Sequence, residues 1–458
     1  MRKILLLTLV CLVGCQTVKE ARKAQKGEEL HAAEKTVTAL EVGLTPEKVV
    51  SLEELEDIAL QYHPDVAIAR ENVAAALLAL GDAEWKDAPS VSANVGHSTS
   101  TSNTNVHHQS SRSRGKWSGG VNLTWTIVDF GRTSSAEAKA RRDYRAAVSD
   151  LRKAESLAIY NVRHAFFELK RCIELDKVAR QEIEQYKTHL EQVKIQRSVG
   201  KSTAYHQTKA EVDWNNAVLN QLNTENNVKN AWGSLGRALG LSEEVSFQLG
   251  DGEMRSYALD LERLMKVAGE REPALSSLNE KIEAASHYID QTVAELYPSL
   301  VFNLGGTLSG RLSPTPPYVW NWNSGLTLNQ TLFDGGARLR AIDGAVIMLR
   351  KARMQAESRR QELFQELRKA ILVARHAEKQ LEVLTLTERL ARENLDMVNE
   401  QFRVGRASSV ERTDAQVSHF SAQASLVSAK YSHQLAMVSI ANLIGDYDVD
   451  YEIGGESK

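Results

Sequence analysis

Two carboxylates near the end of the chain have a spacing that could serve ion binding. Glu411 and Asp414 are three residues apart, so on a helix both would project from one face. The corresponding positions in the first half of the chain hold His206 and Lys209, so the acidic pair occurs only once. Grouped carboxylates can attract cations, and the alternative interpretation is an ordinary solvated helix surface.

Histidines and cysteines give weaker indications of chemistry. His97, His107 and His108 fall in a polar stretch, where exposed loop residues are a better interpretation than metal ligands. Cysteines are present at three positions only, which excludes a disulfide scaffold and a Cys-based zinc site, and Cys172 is interpreted as a packing residue. No nucleophile–base pair or phosphate-binding glycine motif is found, so the sequence predicts no enzyme and no cofactor.

Composition narrows the class of protein further. The chain has 458 residues, with 56 Lys+Arg against 59 Asp+Glu and a formal net charge of −3. This balance gives no electrostatic reason to expect nucleic acid as a partner. Aromatic residues make up 6% and there are only 8 prolines, which favours long helices over several compact cores.

The N-terminus has the pattern of a bacterial lipoprotein signal. Arg2 and Lys3 precede an apolar run that ends in Leu-Val-Gly-Cys at 12–15, and the run is too short to span a bilayer permanently. We expect cleavage before Cys15 and a diacylglycerol on its sulfur. Gln16 follows, which in such lipoproteins goes with export to the outer membrane. The alternative is an ordinary secretory signal with an incidental cysteine.

Landmarks repeat along the chain and indicate an internal duplication. Pro64 and Pro89 are matched by Pro273 and Pro298, each 209 residues later. Three further landmarks recur 205 residues later, at Asp-Phe-Gly 129–131, Val-Gly 199–200 and Leu-Gly 239–240. Such repeats form equivalent units around a pseudosymmetry axis. The predicted domains are a signal peptide over 1–14, a lipidated tether over 15–45, a first repeat over 46–240, an equatorial connection over 241–270, a second repeat over 271–445 and a tail over 446–458.

Each repeat combines long helices with one strand hairpin. No Gly or Pro lies between Arg132 and Val199, and the apolar positions there step by three and four, which predicts a long helix packed along another. Around 89–129 and 298–333, apolar and polar residues alternate with period two, as in strands with one apolar face. The long helices are expected at about 131–240 and 335–445.

This order of elements resembles the TolC family of outer-membrane efflux channels, in its lipoprotein branch. The resemblance covers roughly residues 50–445. It is carried by these segments: SLEELEDIALQYHPDVAIA at 51–69, the Pro-Ser strand starts at 89 and 298, WTIVDFGR and LFDGGARLRA after the hairpins, QRSVGKSTAYHQTKAEV at 196–212 and QFRVGRASSVERTDAQV at 401–417.

The resemblance implies a mainly α fold with a small membrane β part, in which three chains form a 12-stranded β-barrel continued by an α-helical barrel. It implies a passive exit duct of a tripartite efflux or type I secretion system in the outer membrane of a Gram-negative-type bacterium. The expected partners are two further copies of the chain, a periplasmic adaptor protein and, through the adaptor, an inner-membrane pump.

Function is then expected at the helix tips. At Val199-Gly200 and Val404-Gly405 a helix must reverse, and glycine permits the positive φ that such a turn requires. By resemblance these tips dock on the adaptor; the alternative is a turn without a partner. Glu411 and Asp414 would line the periplasmic entrance as six carboxylates in the trimer, with mutually raised pKa values and affinity for cations.

The family's gate arginine lies two residues beyond the tip glycine. That position here is Ala407, and Arg406 immediately before it is the candidate gate residue.

Two other protein classes also use long helices. A periplasmic adaptor lipoprotein would have one helical hairpin between compact β-domains, which the duplication argues against. A coiled-coil envelope lipoprotein without a pore would leave the four amphipathic strands unexplained.

Overall fold

The structure is a computed structural model that describes residues 38–446, apart from 40, 102–112, 201, 242–245, 251, 253 and 312–317. The predicted lipid site at Cys15, the histidines His107 and His108, and the tail after Asp446 lie outside the described residues. Side chains at 100, 101, 113, 114 and 311 also lie outside the description, and only the backbone of these strand positions is used below.

The elements follow the duplicated order. In the first half they are β1 (Val49–Val50), α1 (Leu52–Tyr62), α2 (Pro64–Glu84), a 3₁₀ turn (Trp85–Asp87), β2 (Ser90–Thr101), β3 (Ser113–Val128), α3 (Arg132–Ser198) and α4 (Ala204–Ala238). In the second half they are β4 (Gln248–Leu249), α5 (Leu261–Arg271), α6 (Pro273–Ala294), β5 (Ser299–Arg311), β6 (Val319–Asn329), α7 (Ala337–Arg403) and α8 (Ser409–Ile444). Helices α3 and α7 have 67 residues each.

The chain divides into two compact units. One, the helical unit, contains the described residues up to Glu71 together with 150–273 and 360–446. The other, the hairpin unit, contains 72–149 and 274–359. None of the helices among the described residues contains a stretch that is both long enough and apolar enough to cross a membrane.

The helical unit has a core of aromatic and aliphatic side chains from α1, α3, α4 and α8. Phe166 and Phe167 are fully buried and meet edge to face, with ring centroids 5.4 Å apart. Burial of each such ring contributes roughly 2–3 kcal/mol. Gly240, after α4, has φ 77°, and a Cβ there would lie 2.9 Å from the Cα of His63. Only glycine fits this close backbone contact.

Polar contacts hold the short segments of the helical unit against its helices. Arg163 on α3 donates two hydrogen bonds to the carboxylate of Glu56 on α1, at 2.7 and 2.9 Å, and both side chains are largely buried. Met254 N–H donates to Oε1 of Gln434 on α8 at 2.9 Å. These bonds fix α1 and the segment before α5 in place, because a buried charge or amide without a partner would be costly.

The hairpin unit contains one antiparallel sheet in the order β2-β3-β5-β6, so the two hairpins join through β3 and β5. In the register, Val91 pairs with Leu123, Leu123 with Leu304, and Leu304 with Ser324. Directly paired residues share a face, so the odd positions of β2 and β3 lie on the same face as the even positions of β5 and β6. This face carries the apolar side chains. The opposite face carries mainly Ser, Thr, Asn and Gly, together with Lys116.

An Asp turn ends each hairpin and starts the following long helix. The carboxylate of Asp129 accepts from the N–H groups of Gly131 at 3.3 Å and Thr133 at 2.9 Å. In the second repeat Asp334 accepts from the N–H groups of Gly336 and Ala337 at 3.0 and 3.1 Å. The carboxylates satisfy amides that a helix start leaves free.

Candidate functional site at the helix tips

The first tip joins α3 to α4 by a short glycine turn. Gly200 has φ 76°, and its N–H donates to the carbonyl of Arg197 at 3.0 Å. Thr203 caps α4, and its hydroxyl accepts from the N–H of His206. Val199 is 62% exposed. Because glycine adopts the left-handed conformation without strain, the turn is short and leaves its valine on the surface.

The second tip joins α7 to α8 and repeats this geometry. Gly405 has φ 78°, and the N–H of Arg406 donates to the carbonyl of Gln401 at 2.8 Å, as in a Schellman turn. Val404 is 62% exposed, the same fraction as Val199. Each tip therefore exposes one valine beside a glycine turn of similar geometry.

Glu411 has a local structural partner. Ser408 and Glu411 form a capping box, in which the serine hydroxyl accepts from the N–H of Glu411 at 3.2 Å and the Glu411 carboxylate accepts from the N–H of Ser408 at 2.6 Å. These hydrogen bonds favour the charged form and hold the pKa of Glu411 below its usual range. A ring of converging carboxylates would raise this pKa instead. That ring requires a trimer, and it stays a prediction.

Asp414 lies one turn further along α8, and both acidic side chains are exposed. The negative charge of Asp414 acts on Asp213 of α4. Burial, with a smaller contribution from Asp414, raises the pKa of Asp213, while Lys209 opposes the rise. Asp414 therefore shares its surroundings with another carboxylate, contributed by the other helical hairpin.

Arg412, between the two acidic residues, connects three helices. Its Nε donates to Oδ1 of Asn399 on α7 at 2.9 Å, and its Nη1 donates to Oε1 of Gln192 on α3 at 2.7 Å. Its guanidinium also lies over the ring of Phe402, 5.1 Å from the centroid. A planar guanidinium can serve several acceptors in fixed directions, which a lysine cannot do.

His189 of α3 completes this network. Arg412 Nη1 lies 3.1 Å from His189 Nδ1, and Ser409 Oγ lies 3.2 Å from Nε2. The guanidinium can only donate, so Nδ1 accepts and the network assigns the proton to Nε2. We call Arg412, His189, Gln192, Asn399 and Ser409 the tip clasp.

The histidine of the tip clasp is held neutral. His189 is 1% exposed. Burial, together with the nearby positive charges of Arg412 and Lys209, lowers its pKa to about 4. Neutral imidazole is the form that can accept from Arg412. The tip clasp thus requires an unprotonated histidine and a charged arginine.

The candidate gate residue Arg406 is placed differently. Its side chain is exposed, and within the described part of the chain it makes no hydrogen bond or ion pair. Arg412, by contrast, contacts side chains of two other helices. Its contact with His189 could not be predicted from the sequence, because His189 lies 223 residues earlier in the chain. The sequence does contain a local signal for the contacts of Glu411. The Ser-x-x-Glu pattern at 408–411 is that of a capping box, which identifies Ser408 as its partner.

The remaining candidate residues belong to other elements. His97 is in β2, tilted against the ring of Trp117 at 4.7 Å, with Nε2 3.3 Å from Thr99 Oγ1. The described residues contain no group of three or more His, Cys, Asp or Glu side chains arranged to hold a metal ion. Cys172 is buried in the helical unit, and burial raises the pKa of its thiol.

Comparison with known proteins gives one family and several relatives. The model of the family described as outer membrane efflux protein matches residues 55–241 and 264–446. The probable outer membrane lipoprotein SilC of Salmonella typhimurium is 20% identical over 338 residues, which is 72% of each chain.

Solved channels share the fold at low sequence identity. The CmeC outer membrane channel of Campylobacter jejuni has a TM-score of 0.76 at 17% identity, covering 86% of this chain and 85% of that one. The open state of the MtrE outer membrane channel of Neisseria gonorrhoeae has a TM-score of 0.71 at 18% identity, covering 88% of this chain and 94% of that one.

Proposed function

The chain belongs to the outer membrane efflux protein family, and on that premise we infer that it is the outer-membrane exit duct of a tripartite efflux system. The family match confirms the resemblance to TolC-type channels and the outer-membrane location that the sequence predicts. The family is one of channels, so we propose a passive conduit without bond chemistry. An inner-membrane pump would supply the energy.

We propose that the working unit is a trimer. The observation that carries this proposal is the four-stranded sheet with an exposed apolar face and unpaired outer strands. Val95, Trp322 and Leu328 on that face are 81%, 67% and 66% exposed. Among the described residues β2 and β6 each have a partner on one side only. Four strands are too few to close, and three copies would give twelve, with the apolar face toward lipid and the polar face toward the lumen.

Helix α7 supports the same assembly. It exposes large apolar side chains at Ile347, Met354, Val383, Leu390 and Met397, each at least half exposed. Several lie at spacings of seven residues, as in the seam between packed helices. A neighbouring copy would cover them, and in this proposal the helices continue the barrel into the periplasm.

Cysteine crosslinking tests the trimer directly. Single cysteines in β2, at Ser92 or Asn94, would be combined in one chain with single cysteines in β6, at Asn321, Asn323 or Thr327. In each chain β2 and β6 are separated by two strands, so a disulfide can form only between copies. We expect at least one combination to give a covalent trimer on a denaturing gel. A native mass of one chain, with no crosslink from any combination, would contradict the proposal.

At the tips we propose adaptor docking and gating. Val199-Gly200 and Val404-Gly405 would contact the adaptor through their exposed valines, and Glu411 and Asp414 would attract cations at the entrance. The tip clasp would hold the ends of α3, α7 and α8 together, and adaptor contacts would have to favour an arrangement in which it is open. The matched turns and the contacts of Arg412 support this proposal over a gate formed by Arg406.

We also propose that Cys15 carries the lipid, as the sequence pattern indicates. The acyl chains would add to the membrane attachment given by the strands. Mass spectrometry of the N-terminal peptide tests this. A diacylglycerol mass on Cys15 is expected, and an unmodified N-terminus at another residue would overturn it.

A further inference from the structure

Acidic residues are missing from both hairpins. None of the 59 Asp and Glu residues of the chain lies within 88–128 or 296–333, although these segments carry four basic residues. The nearest acidic residues flank the two segments in the sequence, at Asp87, Asp129, Glu295 and Asp334. In the sequence, all four basic residues, Arg112, Arg114, Lys116 and Arg311, fall between the middle of one strand segment and the middle of the next.

Two of these basic residues are neighbours across the sheet. Lys116 of β3 is the partner of Arg311 of β5 in the antiparallel register. The register therefore brings two positions that hold basic residue types in the sequence directly opposite each other. We call this pair of positions the basic collar. Lys116 is exposed, and the described strands contain no carboxylate that could pair with it.

The register also decides which face carries the collar. Lys116 is followed on the same face by Ser118, Gly120, Asn122 and Thr124, whereas Trp117 and Val121 point to the apolar face. Most of the other side chains on the polar face are neutral hydrogen-bonding groups. Asn122 Nδ2 donates to Asn94 Oδ1 at 3.2 Å, and Thr124 Oγ1 donates to Asn303 Oδ1 at 3.3 Å. The collar is therefore the one charged zone among the described residues of that face.

We propose that the basic collar is an anion-selective mouth of the duct, which takes carboxylate, sulfonate or phosphate groups. The proposal rests on the proposed function, because it needs the polar face to line a lumen. Three copies would then place three Lys116 side chains around one opening. Such a ring concentrates anions and keeps cations at a distance. Anionic compounds would leave more easily, and cationic compounds outside would be hindered from returning.

Thiol labelling tests the basic collar and does not depend on measuring ion current through the channel. Ser118→Cys places a thiol two residues from Lys116 on the same face, about 7 Å away. The detergent-purified trimer would react with an anionic methanethiosulfonate (ethylsulfonate) and, separately, with a cationic one (ethyltrimethylammonium). The ratio of the two rates reports the local potential, and it cancels any effect of Lys116 on the thiol pKa. The parent protein, whose Cys172 is buried, gives the blank.

Removal of the charge should change this ratio by a calculable factor. A unit charge about 7 Å away in water changes the ratio of anion to cation roughly sevenfold at low salt and about threefold at 0.1 M salt. Lys116→Gln should therefore lower the anionic-to-cationic rate ratio by these factors, and Lys116→Glu by about their squares. Lys86→Gln, at the other end of the hairpin, is the matched control and should leave the ratio within twofold.

The outcomes separate the collar from the duct. A ratio unchanged in Lys116→Gln, or lowered equally by Lys86→Gln, would overturn the collar and leave the duct intact. The duct orientation is checked by Val121→Cys on the apolar face, which detergent should shield. If Val121→Cys reacted faster than Ser118→Cys with both reagents, the polar face would not line the lumen, and the proposed function would fail.

Discussion

Removal of the Arg412 side chain should loosen the second tip. Arg412→Ala deletes three hydrogen bonds from the guanidinium, to Asn399, Gln192 and His189. Gln192 and Asn399 can regain water, but His189 is 1% exposed and would be left with an unpaired Nδ1. An unpaired buried acceptor costs about 1–3 kcal/mol, and the two more accessible bonds add about 0.5 kcal/mol each. The expected loss at the tip is therefore at least about 2 kcal/mol.

Hydrogen exchange of the intact purified protein measures this loss where it occurs. Amides at the start of α8, such as Arg412 N–H bonded to the carbonyl of Ser408, exchange when the tip opens locally. A loss of about 2 kcal/mol should speed exchange of peptides over 404–416 roughly 30-fold. Arg403→Ala is the matched control, because Arg403 is an exposed arginine whose side chain pairs, within the described residues, only with Glu400 on its own helix. Its effect should be about twofold or less.

Two results would refute the role of the tip clasp. One is equal exchange in Arg412→Ala and Arg403→Ala. The other is faster exchange along all of α8, which would indicate global destabilisation and no local clasp.

Acid should weaken the same contacts by another route. The pKa of His189 is lowered to about 4 from an ordinary 6.5, so its stabilising effect is complete above about pH 6.5 and is lost as the pH falls toward 4. Between pH 8 and pH 5 the loss is about 2 kcal/mol. After correction for intrinsic rates, exchange at the tip should be faster at pH 5. Arg412→Ala should weaken this dependence, and an identical pH dependence in both proteins would contradict the assignment.

Three further changes should give distinct losses of stability, measured by thermal unfolding of the purified protein. Arg163→Ala leaves the Glu56 carboxylate largely buried without its partner and should cost about 3 kcal/mol; a shift as small as that of an exposed arginine would contradict this. Ser408→Ala removes the helix cap and should cost about 1 kcal/mol, seen as faster exchange at 409–412; unchanged exchange there would show that the capping box is not needed. Gly240→Ala should cost more than Gly200→Ala, because both have positive φ but only position 240 meets a neighbouring backbone; equal losses would refute the close contact.

Much of the fold could be predicted from the sequence because its signals are local. The absence of Gly and Pro after Arg132 predicts one long helix, and α3 fills that segment. Alternation predicts the strands, and the glycines at 200 and 405 lie at the predicted turns with positive φ. Domain boundaries such as 46–240 and 271–445 stay predictions. So do the lipid on Cys15 and the entrance role of Glu411 and Asp414.

The tip clasp could not be predicted for a physical reason. Arg412 has the same residue type and a similar polar neighbourhood in sequence as Arg403 and Arg406, and only packing distinguishes them. Its partner His189 lies on α3, and no local pattern connects residues more than 200 positions apart. The basic collar is an intermediate case. The lack of acidic residues is visible in the sequence, but the pairing of Lys116 with position 311 requires the strand register.

The most direct test of the duct is single-channel conductance in planar bilayers. The detergent-purified protein would be compared with Glu411→Gln/Asp414→Asn, each with and without Arg412→Ala to open the tip. We predict discrete channels that open more often with Arg412→Ala, and whose preference for cations falls with the double substitution. If the double substitution leaves the selectivity unchanged, Glu411 and Asp414 have no role at the entrance and are ordinary residues of a helix surface. A folded protein that gives no channels in any of the four forms would contradict the account.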